Sequence, residues 1–179
     1  MTIPIFFSTP KPNNDKQEIF ITKIKDYLKS RDMDPLTLGE TNYDWKSPLS
    51  GIRRLMLMSN GVLVIAIKRY IIEKGEERRI DKNGKPESKD ISGLSMTSPW
   101  CHIETAMAFQ LGLPLLILIE KGVYQDGILE KGVVGNYLPE FDLNNPIDDY
   151  FKDKEFVDNI YGFEGEVRST WNSKGFPSR

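Results

Sequence analysis

The segment Ser98-Pro99-Trp100-Cys101-His102-Ile103-Glu104 sets one carboxylate among apolar neighbours, and that carboxylate is the strongest candidate for chemistry in the chain. Ser98 has the side chain of a helix N-cap and Pro99 suits the first helical position, so a helix is expected to begin here with Glu104 in its second turn. At about 100° per residue, Trp100, Ile103, Glu104, Met107, Ala108 and Leu111 fall within an arc of roughly 140°, the stripe expected to face the core. Burial without a partner raises the pKa of an acid and is costly. Such a group is either half of a structural pair, with an arginine or a backbone amide, or the wall of a ligand cavity.

Other chemistries lack the residues they need. His102 is the only histidine and Cys101 the only cysteine. A Ser-His-Asp site would have to use His102, while an intramolecular disulfide and zinc sites with several Cys or His ligands are excluded. Cys101 is expected to pack, and His102 points to the polar arc as a surface residue or a pocket donor. A net charge of −2 over 179 residues makes no electrostatic case for nucleic acid as a partner. The 28% charged and 39% hydrophobic fractions suit a single globular domain over 1–179. No basic stretch leads into an apolar run with a cleavage site, and no run approaches the ~20 residues of a membrane span. A cytoplasmic protein with no membrane partner is expected.

The elements that must position Glu104 follow from pattern. Residues 3–7 form a short apolar strand, followed by a turn-rich stretch to Asn14 and a helix with Ile21, Ile24 and Leu28 inward. A second strand is expected at 35–38, a loop at 39–45, and a helix at about 48–58 with Leu49, Ile52, Leu55 and Met56 inward. The runs 61–67 and 114–119 are apolar without alternation, as in parallel strands covered on both faces. Residues 137–143 suit a fifth, edge strand. The C-terminal extension, 145–179, should hold a helix within 152–172 that Gly162 and Gly165 interrupt. Together these predict an α/β fold: a three-layer, doubly wound, flavodoxin-like and mainly parallel sheet of about five strands. Between the third strand and the Ser98 helix lies a charged excursion, 68–97, with Asn83-Gly84 as a two-residue hairpin turn. It is either a solvated hairpin or a lid.

In such sheets ligands bind beyond the C-terminal strand ends, near the point where strand order reverses. Three segments meet there: 7–14, 39–45 and the stretch leading into the Ser98 helix. Phe7, Ser8 and Thr9 offer backbone amides and hydroxyls for a phosphate or ribose. Lys11 either pairs with a pyrophosphate or stays solvated. Asp44 and Trp45 contact a base or a neighbouring subunit. Arg69 stands at the root of the excursion, and Arg53 or Arg54 on the second helix reaches toward the crevice. Trp100 either stacks on a base or packs in the core.

Ser98-Pro-Trp-Cys-His-Ile-Glu104 resembles the Ser-x-Trp-Cys-x-x-Glu motif of TIR domains, and the order of strands and helices agrees over residues 3–145. The resemblance implies a TIR-like fold and Glu104 as the catalytic glutamate that cleaves the nicotinamide–ribose bond of NAD+. It implies NAD+ as a substrate, with no tightly bound cofactor or metal, and ADP-ribose, a cyclic isomer or a conjugate as product. By likeness to the small signal-producing TIR proteins of bacterial anti-phage systems such as Thoeris, it also implies homo-oligomers through TIR-type contacts and a separate effector that responds to the product. Glu104-x-x-x-Ala108-x-x-x-Gly112-x-Pro114 is in turn similar to nucleoside 2-deoxyribosyltransferases, which use this glutamate as a nucleophile at C1′. That resemblance implies a deoxyribosyltransferase or nucleotide N-glycosidase. A third reading, a non-catalytic TIR-like interaction module, would leave Glu104 dispensable.

Overall fold

The computed structural model describes residues 2–39, 47–135 and 138–174. Asp44, Trp45 and Tyr137 lie outside the described residues. In chain order the elements are β1 (Ile3–Ser8), α1 (Asp15–Ser30), β2 (Met33–Leu36), α2 (Pro48–Met58), β3 (Val62–Ala66), β4 (Tyr70–Ile71), β5 (Glu76–Ile80), β6 (Pro86–Asp90), β7 (Ser95–Met96), α3 (Pro99–Gln110), β8 (Leu115–Glu120), β9 (Glu140–Phe141), α4 (Ile147–Tyr150) and α5 (Lys154–Lys174). The central sheet runs β2-β1-β3-β8-β9 with every neighbouring pair parallel. This is the flavodoxin-like order expected from sequence, with its switch point between β1 and β3.

Because side chains alternate along a strand, each central strand feeds two cores. Ile3, Ile5 and Phe7 of β1 join Leu63, Ile65 and Leu118 beneath α1 and α5. Phe6, Val62, Val64, Ile117 and Ile119 pack on the opposite face with Ile52, Leu55 and Met56 of α2 and Cys101 and Ala108 of α3. The continuous apolar runs therefore have the cause assumed for them: both faces of the sheet are covered. Ser8 shares the parity of Phe6, so its side chain is turned toward the α2–α3 layer.

Several expectations are corrected. The core face of α3 is Cys101, Thr105 and Ala108, about a quarter turn from the predicted stripe. Trp100, Ile103 and Leu111 are exposed. α3 is apolar almost all round, so periodicity alone does not select a face, and the small residues win because they let the helix approach the sheet. Leu49, expected inward, is exposed in the first turn of α2. α5 continues through Gly162 and Gly165, where a Cβ would meet nothing; burial of Phe156, Ile160, Phe163 and Val167 outweighs the helix cost of two glycines. The hairpin turn closes from Asp81 to Lys85, with Gly84 alone at positive φ (79°) and the Asp81 carboxylate accepting from the Asn83 and Lys85 amides. A two-residue type I′ turn would need positive φ at Asn83 as well.

One buried group in the α1–α5 core is unmatched. Phe20 stacks on Phe141 at 3.9 Å, and Tyr150 lies 4.7 Å from Phe156, ring centre to ring centre. The Tyr150 hydroxyl is buried there with no hydrogen-bond partner among the described residues, and burial raises its pKa. Tyr150→Phe removes the desolvated hydroxyl and keeps the ring, so it should stabilise the fold by about 1 kcal/mol. A thermal melt that moves down for this variant would show that the hydroxyl has a partner.

Candidate active site

The site is assembled where three strand ends meet the starts of two helices. β1 ends at Ser8, and the chain continues through Thr9, the buried Pro10 and the exposed Lys11. Thr37 follows β2 and donates its hydroxyl to the Phe7 carbonyl at 3.2 Å. α2 begins behind its N-cap Ser47, whose side chain accepts from the Ser50 amide. α3 begins behind Ser98, which accepts from the Trp100 amide at 3.3 Å and so sets the phase of the helix that carries Glu104. These segments enclose a cleft of about 300 Å³.

Glu104 lies between the buried and exposed faces of α3, with its carboxylate turned into the cleft. Ser8 Oγ donates to Glu104 Oε2. Burial raises the Glu104 pKa from 4.5 to about 7, and the Ser8 hydrogen bond opposes that rise. The acid is therefore poised between its two protonation states near neutral pH. Among the described residues the other charged side chains lining the cleft are Lys11 and Arg69, both cationic and both exposed at the rim. Trp100 also lines it and is 42% exposed, which corrects the alternative of a core tryptophan.

Of the residues singled out from sequence, Phe7, Ser8, Thr9, Lys11, Arg69, Trp100 and Glu104 are thus brought to one cleft. Phe7 contributes through its backbone, because its ring is buried on the opposite face under α1, 5.3 Å from Lys25 Nζ. Arg53 and Arg54 are exposed and do not line it. His102 lies outside the cleft, 3.7 Å from Asp126. Cys101 lies at the cleft floor, almost fully buried, with its thiol pushed up to about 12, so it is not a nucleophile at neutral pH. Within 68–97 only Arg69 reaches the cleft. The β5–β6 hairpin instead docks on the segment after β8, where Arg79 pairs with Glu130 at 3.3 Å, so it is a solvated hairpin and not a lid over this cleft.

Sequence reasoning missed the bracing behind the site. The buried Glu120 at the end of β8 accepts from the Lys68 amide at 2.8 Å and from Gln17 Nε2 at 2.9 Å. Asn13 Nδ2 donates to the Lys68 carbonyl at 2.9 Å. This network ties the ends of β3 and β8 to the start of α1 and fixes the backbone that delivers Arg69. Its one visible signal is a carboxylate closing the apolar run 115–119. Thr37 and the apolar wall of Leu38, Pro48 and Ile52 were also missed, since nothing in their types marks them before the fold is known. Among the described residues no group of three or more His, Cys, Asp or Glu side chains is placed to hold a metal ion, and no helix is long and apolar enough to cross a membrane.

No protein-family model and no curated protein matches this sequence, so the TIR resemblance rests on its short motif and on the order of its strands and helices. Among solved structures the chain is similar to a CMP N-glycosidase from Clostridium botulinum, at 10% identity and a TM-score of 0.50 over 83% of this chain and 94% of that one. It also aligns with a conserved protein from Enterococcus faecalis V583, at 11% identity and a TM-score of 0.42 over 96% and 100% of the two chains. The first likeness shows that this chain has an α/β fold shared with a nucleotide N-glycosidase.

Proposed function

We propose that the chain is an N-glycosidase that breaks the C1′–N bond of a nucleotide, with Glu104 as the carboxylate at C1′. The observation that carries the reading is the Glu104 carboxylate in the cleft at the sheet's switch point, buried enough to titrate near pH 7 and facing two cations across the opening. The fold shared with a CMP N-glycosidase supports it.

The chemistry follows from charge. As the C1′–N bond breaks, its electron pair leaves with the base nitrogen, and positive charge spreads over C1′ and the ring oxygen. The ionised Glu104 carboxylate opposes that charge from a position whose burial reduces screening by water, which enlarges its effect. Water adds to C1′ and its proton goes to the departing base, giving free base and a sugar phosphate. Lys11 and Arg69 hold the phosphate, and Trp100 presents a ring face to the base. A volume of about 300 Å³ is at the small end of ligand sites, which favours a mononucleotide.

NAD+ is the second reading, favoured by the Ser98–Glu104 motif. Nicotinamide leaves as a neutral molecule and needs no proton, so a single carboxylate suffices. On that reading the product is a signal for a separate effector and TIR-type contacts assemble the protein; a mononucleotide substrate calls for neither.

Purified protein incubated with CMP, other nucleoside monophosphates, the matching nucleosides and NAD+ separates the readings by chromatography of the released base. Base release from a monophosphate supports the first, and loss of NAD+ alone selects the second. No release from any of them removes both. Lys11→Ala and Arg69→Ala should each raise KM for the monophosphate roughly tenfold, the scale of one charge-assisted contact, and spare the nucleoside. Equal effects on both substrates would place the phosphate elsewhere.

A further inference from the structure

On the N-glycosidase reading Lys11 and Arg69 hold the phosphate, and one buried side chain behind the cleft joins the two segments that carry them. The β1–β3 ladder ends at Ser8 and Val64, so beyond it the sheet no longer sets the distance between the two chains. Gln17, 1% exposed in the first turn of α1, bridges the gap. Its Oε1 accepts from the Asn13 amide at 2.9 Å, and its Nε2 donates to Glu120 Oε2 at 2.9 Å and to the Lys68 carbonyl at 3.2 Å. The oxygen does what a residue in the first turn of a helix does for the chain entering it. The nitrogen serves no such local need, because it reaches a residue 51 positions away in the segment after β3.

Both ends of this bridge stop close to a cation. Asn13 is joined to Lys11 through Pro12, whose ring fixes its own φ and restricts the residue before it, so Asn13 and Lys11 move as a stiff unit. Lys68 directly precedes Arg69; the Lys68 amide donates to Glu120 at 2.8 Å, and the Arg69 amide donates to the Met96 carbonyl at 2.9 Å. We infer that Gln17 is a positioning residue of the phosphate subsite, bonding the Lys11 segment to the Arg69 segment so that both cations meet one phosphate. Two cations whose backbones stand at a set spacing lose less freedom on binding than two that must first be gathered.

The test compares a monophosphate that the wild type cleaves with its nucleoside in Gln17→Met, which keeps the length of the side chain and removes its hydrogen bonds. KM for the monophosphate should rise about fivefold, the scale of one lost hydrogen bond, while KM for the nucleoside and kcat for both stay as they are. In a Lys11→Ala background the same substitution should add about twofold at most, because one of the two cations it aligns is gone. Exchanging the pair, Gln17→Glu with Glu120→Gln, keeps a bond between the two side chains and an acceptor for the Asn13 and Lys68 amides, and should bring KM back to the wild-type value. Asn13 is exposed and its Nδ2 donates to the Lys68 carbonyl at 2.9 Å, so Asn13→Ala should raise the same KM about twofold, and it decides if Gln17→Met does not fold. Equal effects on monophosphate and nucleoside, an unmoved KM, full additivity with Lys11→Ala, or a folded exchange variant that restores nothing overturns the role of Gln17 and leaves the N-glycosidase reading standing. If no nucleotide is cleaved that reading falls, and calorimetric titration with ribose 5-phosphate decides the inference on its own. Its Kd must then rise about fivefold in Gln17→Met, and an unchanged Kd, or no binding to the wild type, overturns it.

Discussion

Glu104→Gln is expected to lower kcat for base release by about a thousandfold while the protein folds and binds the nucleotide normally. Glutamine matches the size of glutamate and can still meet Ser8, so the loss isolates the negative charge. The wild-type pH profile gives a second reading of the same role. If Glu104 works as a carboxylate, the rate rises with pH and reaches half its plateau at about 7, where the buried acid ionises. The small residual rate of the glutamine variant should be flat across that range. A wild-type rate that falls through pH 7 would assign Glu104 the role of a proton donor, and near-full activity in the glutamine variant would leave the cleft without its proposed catalyst.

The same substitution should stabilise the empty protein. Unfolded, Glu104 titrates near 4.5; folded, burial raises it to about 7. Between those values the folded chain binds more protons than the unfolded chain, so wild-type stability falls as pH rises through this window. The difference corresponds to about 3 kcal/mol. Glutamine does not titrate, so the stability of Glu104→Gln relative to wild type should grow by about that amount between pH 4 and pH 8. For a domain of this size the melting-temperature gap should widen by roughly 6–12 °C over the same range. Parallel melting curves at both pH values would mean that the carboxylate is not desolvated in the folded state.

Both expectations turn on features with different visibility in the sequence. The sheet was legible because the runs at 61–67 and 114–119 lack alternation, and two covered faces are the simplest cause. Glu104 was legible because a charged residue among apolar neighbours stands out whichever way the helix turns. The direction of α3 was not legible. With Trp100, Ile103, Met107 and Leu111 on one side and Cys101, Thr105 and Ala108 on another, bulk and hydrophobicity point one way and closeness of packing the other. Packing prevailed, and it moved Trp100 from the expected core to the mouth of the cleft. Ser8 was marked as a ligand contact from its place after a strand, but its partnership with Glu104 depends on strand parity and helix phase together. Gln17 was invisible for a similar reason: a polar side chain that braces from behind looks, in sequence, like any other near the start of a helix, and of that network only the Glu120 carboxylate closing an apolar run gave a signal. For Asp44 and Trp45 the described structure offers no comparison.

Ser8 and Glu104 are 96 residues apart in the chain. Closing a loop of that length costs about 4 kcal/mol plus a constant, and nothing local offsets it until β1 has paired with β3 and α3 has docked. Helical turns form and melt within about a microsecond, whereas contacts distant in sequence form more slowly. The cleft therefore cannot form before β1, β3 and α3 have come together. Recovery of the paired hydroxyl and carboxylate therefore reports the long-range pairing of β1 with β3 and the docking of α3, not the local formation of helix.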